Sequence, residues 1–170
     1  EGIDASFEGD TVLVDDGIYY ENLVVSKSIV LASHAIYDDL SDWIVQEEVY
    51  DPVYDIMVFK WVIHNEHIKN THIIGDQPDN EVYGSAILIT PNSDTCILPE
   101  IMGFSIEKGM GTIVSRIDNE GLPYSVRLGG GILAGVANSV IKYNQFKDNG
   151  SNDVHSGGGL YITSSTEDWS

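Results

Sequence analysis

One pattern, written more than once along the chain, limits what it can fold into. Gly129-Gly130-Gly131-Ile132-Leu133 returns 28 positions later as Gly157-Gly158-Gly159-Leu160-Tyr161. A second pair lies at an offset of 40: Ile101 falls on Ile141, Ile106 on Phe146 and Gly109 on Asn149. Each copy holds an apolar residue, a turn-prone residue two on, a second apolar residue, and then Gly or Asn. Two short strands joined by a sharp bend would read this way, because Gly and Asn tolerate the left-handed backbone that the bend needs. One such coil cannot bury its inward side chains. A stack of coils can, each strand pairing in parallel with its neighbour.

The rest of the chain is written in the same short units. Thr11-Val12-Leu13-Val14, Leu23-Val24-Val25, Ser28-Ile29-Val30-Leu31, His72-Ile73-Ile74 and Ser85 to Thr90 are β-branched runs. They end at Asp15-Asp16-Gly17, Gly75-Asp76-Gln77-Pro78 and Thr90-Pro91-Asn92-Ser93. Such runs read as strands and are too short for helices. Gly103 and Gly109 are candidate bend residues, and Asn144 and Asn149 are candidates for a ladder of side-chain hydrogen bonds between coils. Two stretches break the pattern. Residues 37–70 read as an insertion projecting from the stack, partly helical, with Ser41 or Asp42 as cap and Leu40, Ile44, Val45 and Val49 on one face. Residues 111–127 read as a second loop. The whole of 1–170 is expected to be one domain.

Charge narrows the partners. Asp and Glu number 27 against 8 Lys and Arg, a formal charge of −19. That field repels nucleic-acid phosphates and anionic membrane surfaces. No apolar run is long enough to span a bilayer. Cys96 is the sole cysteine, so no internal disulfide can form, and it reads as a small buried residue.

The segment Gly9 to Leu31 resembles the opening coil of pectate-lyase-like and pectin-esterase-like proteins. The resemblance rests on Gly9-Asp10-Thr11-Val12-Leu13-Val14, Gly17-Ile18-Tyr19-Tyr20-Glu21-Asn22-Leu23 and Lys27-Ser28-Ile29-Val30-Leu31. The segments Ile101 to Gly109 and Gly129 to Ile162 are similar to the repeats of NosD-like and polymorphic outer-membrane proteins. The resemblance implies an all-β fold, a right-handed single-stranded parallel β-helix (a solenoid) of about five or six coils. It also implies a secreted, periplasmic or cell-surface bacterial protein. The chain opens on Glu1 and stops soon after a new coil begins, so both ends read as truncations, with adjoining coils of the same parent chain as neighbours.

The chemistry is thinner than the fold grammar. A pectate-lyase-like reading, as a polysaccharide lyase or hydrolase, needs Ca²⁺ held by oxygen ligands near a Lys or Arg. Asp148, Asn149, Asn152 and Asp153 are the metal candidates, with Asp15-Asp16 and Asp38-Asp39-Asp42 behind them. Arg116, Arg127, Lys142 and Lys147 are the basic candidates, and none can be placed beside an acidic group. His64-Asn65-Glu66-His67 lacks the HExxH spacing and reads as polar residues of an exposed insertion. No catalytic set can be assembled. The aromatics of the insertion read better: Trp43, Tyr50, Tyr54 and Trp61, with Phe59, can stack on sugar rings while neighbouring carboxylates accept hydroxyl hydrogen bonds. The expected role is a surface module that binds a polysaccharide or cell-surface glycan, or serves adhesion.

Overall fold

A computed structural model describes residues 2–92, 96–150 and 154–163. In chain order the strands are β1 (Thr11–Val14), β2 (Gly17–Tyr20), β3 (Leu23–Val25), β4 (Val30–Ser33), β5 (Ile44–Asp51), β6 (Ile56–Ile63), β7 (Thr71–Ile74), β8 (Tyr83–Gly84) and β9 (Ile87–Ile89). They continue with β10 (Glu100–Met102), β11 (Ser105–Glu107), β12 (Gly111–Ile117), β13 (Pro123–Leu128), β14 (Ile132–Gly135), β15 (Val140–Lys142), β16 (Gln145–Lys147), β17 (Val154–Ser156) and β18 (Leu160–Thr163). Helices are minor: α1 (Gly2–Ala5), a 3-10 turn over His34–Tyr37, and α2 (Glu66–Asn70).

Three four-stranded sheets are wholly parallel, in the orders β1-β4-β10-β15, β2-β7-β11-β16 and β3-β9-β14-β18. Their registers stack like on like. Val12, Leu31, Ile101 and Ile141 form one column. Tyr19, Ile73, Ile106 and Phe146 form a second. Leu23, Ile87, Ile132 and Leu160 form a third. Side chains alternate faces along a strand, so one residue per short strand is enough to line an interior. The central members of these columns meet in one buried cluster with Ile29 and Phe104, and Val12, Tyr19, Leu23, Ile141 and Phe146 pack against it. Leu160 stays exposed at the last layer.

The bends within each layer, from one sheet to the next, carry the cost of tight turning. Gly103 and Tyr143, 40 residues apart, both have positive φ, at 88° and 55°. Lys108 and Asp148 repeat this at the next bend, at 56° and 52°. Non-glycine residues occupy this region uncommonly, so the surrounding structure must hold them there.

The expected right-handed solenoid running through the whole chain is corrected. The strands divide among five small sheets, some parallel and some antiparallel, and among the described residues no closed solenoid is found. Among the described residues, strands β5 and β6 pair antiparallel only with each other. Strand β12 pairs antiparallel with both β13 and β8, while β13 meets β17 in parallel through a register shift at Arg127/Leu128. Among the described residues each parallel sheet has four strands, fewer than the coils expected.

Both interruptions are hairpins. The helical reading of the first is overturned: Ile44, Val45 and Val49 lie on β5, not on one face of a helix, and the described helical turns of the insertion are the 3-10 turn at its start and the five-residue α2 at its end. A hairpin closes over a few residues, so its pairing costs little chain entropy, and alternating β-branched and polar residues suit it. The second hairpin turns at Asp118, whose Oδ1 accepts from the amides of Glu120 and Leu122. It lies over the outer face of the third parallel sheet, where Val114, Val126 and Leu128 bury Leu88 and Leu133. Cys96 is exposed, correcting the buried assignment; the adjacent Ile97 takes the inward position and bridges to Ala137.

Candidate binding surface

The first hairpin leaves the body between the first and second parallel sheets. Strand β4 ends at Ser33, whose side chain caps the 3-10 turn by accepting from the Ala35 amide. The chain then runs out along β5, back along β6, and through α2 into β7. Asn65 caps α2 by accepting from the Ile68 amide, and its Nδ2 donates to Asp38. A small cluster closes the root: Ala35, Ile63 and Ile68 are buried, with Leu40, Trp43 and Ile44 packed on them.

Strands β5 and β6 run eight residues each, with Gln46 opposite Trp61, Glu48 opposite Phe59, and Tyr50 opposite Met57. Directly opposed residues share a face, and alternate residues along a strand return to it about every 7 Å. Gln46, Glu48, Tyr50, Met57, Phe59 and Trp61 therefore form a single face. Phe59 and Trp61 are 69% and 66% exposed, and Tyr50 and Met57 53% and 52%. Isolated exposed apolar residues are ordinary; a contiguous strip edged with polar groups is the kind of surface that marks a binding site. The opposite face carries Val45, Glu47, Val49, Val58, Lys60 and Val62, and its valines are half-buried.

The strip has polar ends and edges. The Tyr50 hydroxyl donates to Asp55 Oδ1 at 2.6 Å, which raises the phenol's pKa above its usual value. Asp55 itself sits at φ 55° in the tip turn. Asp51 starts that turn: its carboxylate accepts from the Val53 amide, the main reason its pKa is lowered, with Lys60 assisting at 3.3 Å. Glu48 and Gln46 stand beside Phe59 and Trp61, a carboxylate and an amide next to two aromatic faces.

The residues singled out from the sequence therefore separate. Tyr50 and Trp61 share the strip. Tyr54 is exposed in the tip turn. Trp43 lies at the root, its ring edge-on to Tyr143 with centroids 5.9 Å apart, and serves packing. Gln46, Glu48 and Met57 were not singled out: a helical reading of 41–49 hides the period of two on β5, and the side of Met57 is fixed only once β6 pairs with β5.

The proposed calcium ligands are not brought together among the described residues. Asn152 and Asp153 lie outside them. Asp148 occupies a bend. Asn149 is engaged with backbone, its Oδ1 accepting from the Gly109 amide at 3.0 Å and its Nδ2 donating to the Ile106 carbonyl at 2.7 Å. Asn144 behaves alike, accepting from the Phe104 amide and donating to the Ile101 and Lys142 carbonyls. Each asparagine thus clamps the preceding layer's backbone at a bend, where the sequence suggested side-chain ladders. Gly103 and Gly109 sit at these bends for steric reasons. A Cβ on Gly103 would overlap Ser33 Oγ, and one on Gly109 would overlap the Gly130 carbonyl oxygen.

The basic candidates are held in structural contacts. Lys142 pairs with Glu100 at 2.8 Å, and Lys147 lies 3.8 Å from Glu107. Arg116 donates to the Tyr161 hydroxyl, and Arg127 to the Glu81 and Gly111 carbonyls. Among the described residues, no group of three or more His, Cys, Asp or Glu side chains is placed to hold a metal ion, and no helix is long and apolar enough to cross a membrane. No family model matches the chain, nor does any curated protein or solved structure.

Proposed function

We propose that the protein is a carbohydrate-binding module acting through the outer face of the β5–β6 hairpin. The observation that carries this is the exposed strip of Trp61, Phe59 and Tyr50 with Gln46 and Glu48 at their sides. Flat aromatic faces stack on the apolar faces of sugar rings, and amide and carboxylate oxygens accept from hydroxyls. The ligand is a neutral glycan, because a chain of formal charge −19 with Glu48 on the strip repels an anionic polymer. Aromatic side chains supply contact area at low entropic cost, so a hairpin can present them without a deep pocket. A polysaccharide or cell-surface glycan as partner suits a secreted or surface-exposed protein.

The test is retention on neutral and anionic polysaccharides by affinity electrophoresis, for wild type and for Trp61→Ala and Phe59→Ala. Wild type is expected to be retarded by at least one neutral polysaccharide. Each substitution should weaken this about tenfold or more, the effect of removing a stacked aromatic anchor. Retention that survives both substitutions overturns the assignment. So does release of ultraviolet-absorbing unsaturated products in the presence of Ca²⁺, which would make the chain a lyase.

A further inference from the structure

The exposed strip of the first hairpin has an order as well as a composition. Directly opposed residues make three rungs: Trp61 with Gln46, Phe59 with Glu48, and Met57 with Tyr50. Every rung sets an apolar side chain on β6 opposite a side chain on β5 that carries a hydrogen-bonding oxygen. Rungs on one face follow one another at about 7 Å, so the strip is about 14 Å long and one strand pair, about 5 Å, wide. The other face lacks this order, with Val45 opposite Val62, Glu47 opposite Lys60 and Val49 opposite Val58.

Both ends of the strip are fixed. One rung nearer the root, on the same face, Ile44 stands opposite Ile63. Ile63 is buried and Ile44 packs in the root cluster with Ala35 and Ile68, so the face is already occupied there. Past Tyr50 and Met57 the pairing ends at Asp51 opposite Ile56 and the chain turns, with the Tyr50 hydroxyl tied to Asp55. Between these limits Tyr50, Met57, Phe59 and Trp61 are each more than half exposed. The strip is a short linear track, open above, with an apolar side and a polar side.

We infer, on the footing that this face binds glycan, that the track holds an extended neutral chain with equatorial β-1,4 linkages, about three or four sugar rings at a time. In such a chain both bonds of each linkage lie near the mean plane of the rings. The rings then follow one another as a ribbon, with C–H-rich faces above and below and hydroxyls along both edges. Laid along β6, the ribbon covers Trp61, Phe59 and Met57 in turn, and one row of hydroxyls reaches Gln46, Glu48 and the Tyr50 oxygen. Stacking and hydrogen bonding are met together along the whole track. An α-1,4 chain carries an axial bond at every linkage and curls. It leaves a linear track after a ring or two, and its hydroxyls no longer fall in line with β5.

The test is isothermal titration calorimetry of the full chain with cello-, manno- and xylo-oligosaccharides, all β-1,4-linked, from disaccharide to hexasaccharide, and with α-1,4-linked malto-oligosaccharides of the same lengths. At least one β-1,4 series is expected to bind about tenfold or more tighter as the tetrasaccharide than as the disaccharide, through added stacking on the rest of the track. From there to the hexasaccharide its affinity should change by less than about twofold, because the track has ended. The malto-oligosaccharides should bind about tenfold more weakly than that series at equal length. Met57→Ala shortens the track without touching the root cluster. It should weaken the tetrasaccharide about threefold or more and leave the disaccharide, seated on Phe59 and Trp61, unchanged. Equal affinity for disaccharide and hexasaccharide overturns the extended-chain ligand, as does equal or tighter binding of the α-linked series, or a Met57→Ala loss that is the same at every length. Each of these leaves the glycan assignment standing. Absence of binding in every β-1,4 series also overturns it, and reaches the glycan assignment itself only if no neutral polysaccharide retards the chain either.

Discussion

Replacing Asn144 with alanine removes a clamp between two layers. The side chain accepts from the Phe104 amide at 3.0 Å and donates to the Ile101 and Lys142 carbonyls, both at 2.9 Å. Phe104 and Ile101 are fully buried, so water cannot take over their backbone groups. An unsatisfied buried donor or acceptor costs about 1–3 kcal/mol; Lys142 is exposed and loses little, so losing the partners of the Phe104 amide and the Ile101 carbonyl should cost about 2–6 kcal/mol. The aspartate variant separates the two halves of the clamp. It keeps the acceptor for Phe104 but turns a carboxylate oxygen toward two carbonyls. At neutral pH it should be at least as destabilising as alanine, with partial recovery as the carboxyl gains a proton near about pH 4. Urea unfolding reads both effects. With a slope of about 2 kcal/mol per molar, the alanine variant should lower the midpoint by about 1–3 M at constant slope. A midpoint within about 0.3 M of wild type would refute the reasoning, because the buried amide and carbonyl would then have found other partners.

Two further substitutions probe the layer contacts. Gly109→Ala drives a methyl into the Gly130 carbonyl oxygen and against the Ala86 amide, both backbone atoms, and should unfold the chain or lower its melting temperature by well over 5 °C; an unchanged melting curve contradicts the close approach. Phe104→Ala empties a fully buried site in the main cluster and should cost about 3–5 kcal/mol by denaturant unfolding; a loss under about 1 kcal/mol would place the ring outside the core.

The local grammar of the chain was more legible than its architecture. The offset of 40 is the pairing register, Ile101 against Ile141 and Ile106 against Phe146, and the offset of 28 sets Ile132 against Leu160. Those offsets were readable because each strand is short, and its inward aliphatic residues must meet the equivalent residues of the next layer. The uniform solenoid did not follow, because the two hairpins satisfy their hydrogen bonds within themselves and add antiparallel sheets of their own. Their signal was present: Val45, Glu47 and Val49 alternate with Gln46, Glu48 and Tyr50, a period of two that the helical reading of 41–49 passed over. Trp43 shows a different limit. Its composition matches Trp61, yet it stands before β5 begins and folds into the root cluster. Side-chain type could not separate a packing tryptophan from an exposed one until strand parity was known. The hydrogen bonds of His34 with Asp15 and of His67 with Asp16, at the hairpin root, were hidden for another reason. The partners lie 19 and 51 residues apart, joined only by the pairing of β1 with β4 and of β2 with β7.

The measurement that bears most directly on the functional account is backbone and indole chemical-shift mapping of the labelled chain against a soluble fragment of a neutral glycan that retards it. The account predicts perturbations confined to Gln46, Glu48, Tyr50, Met57, Phe59 and the Trp61 indole, with the Trp43 indole unmoved. Perturbations centred on the parallel sheets or the β12–β13 hairpin, or saturating shifts that leave Trp61 untouched, would contradict it.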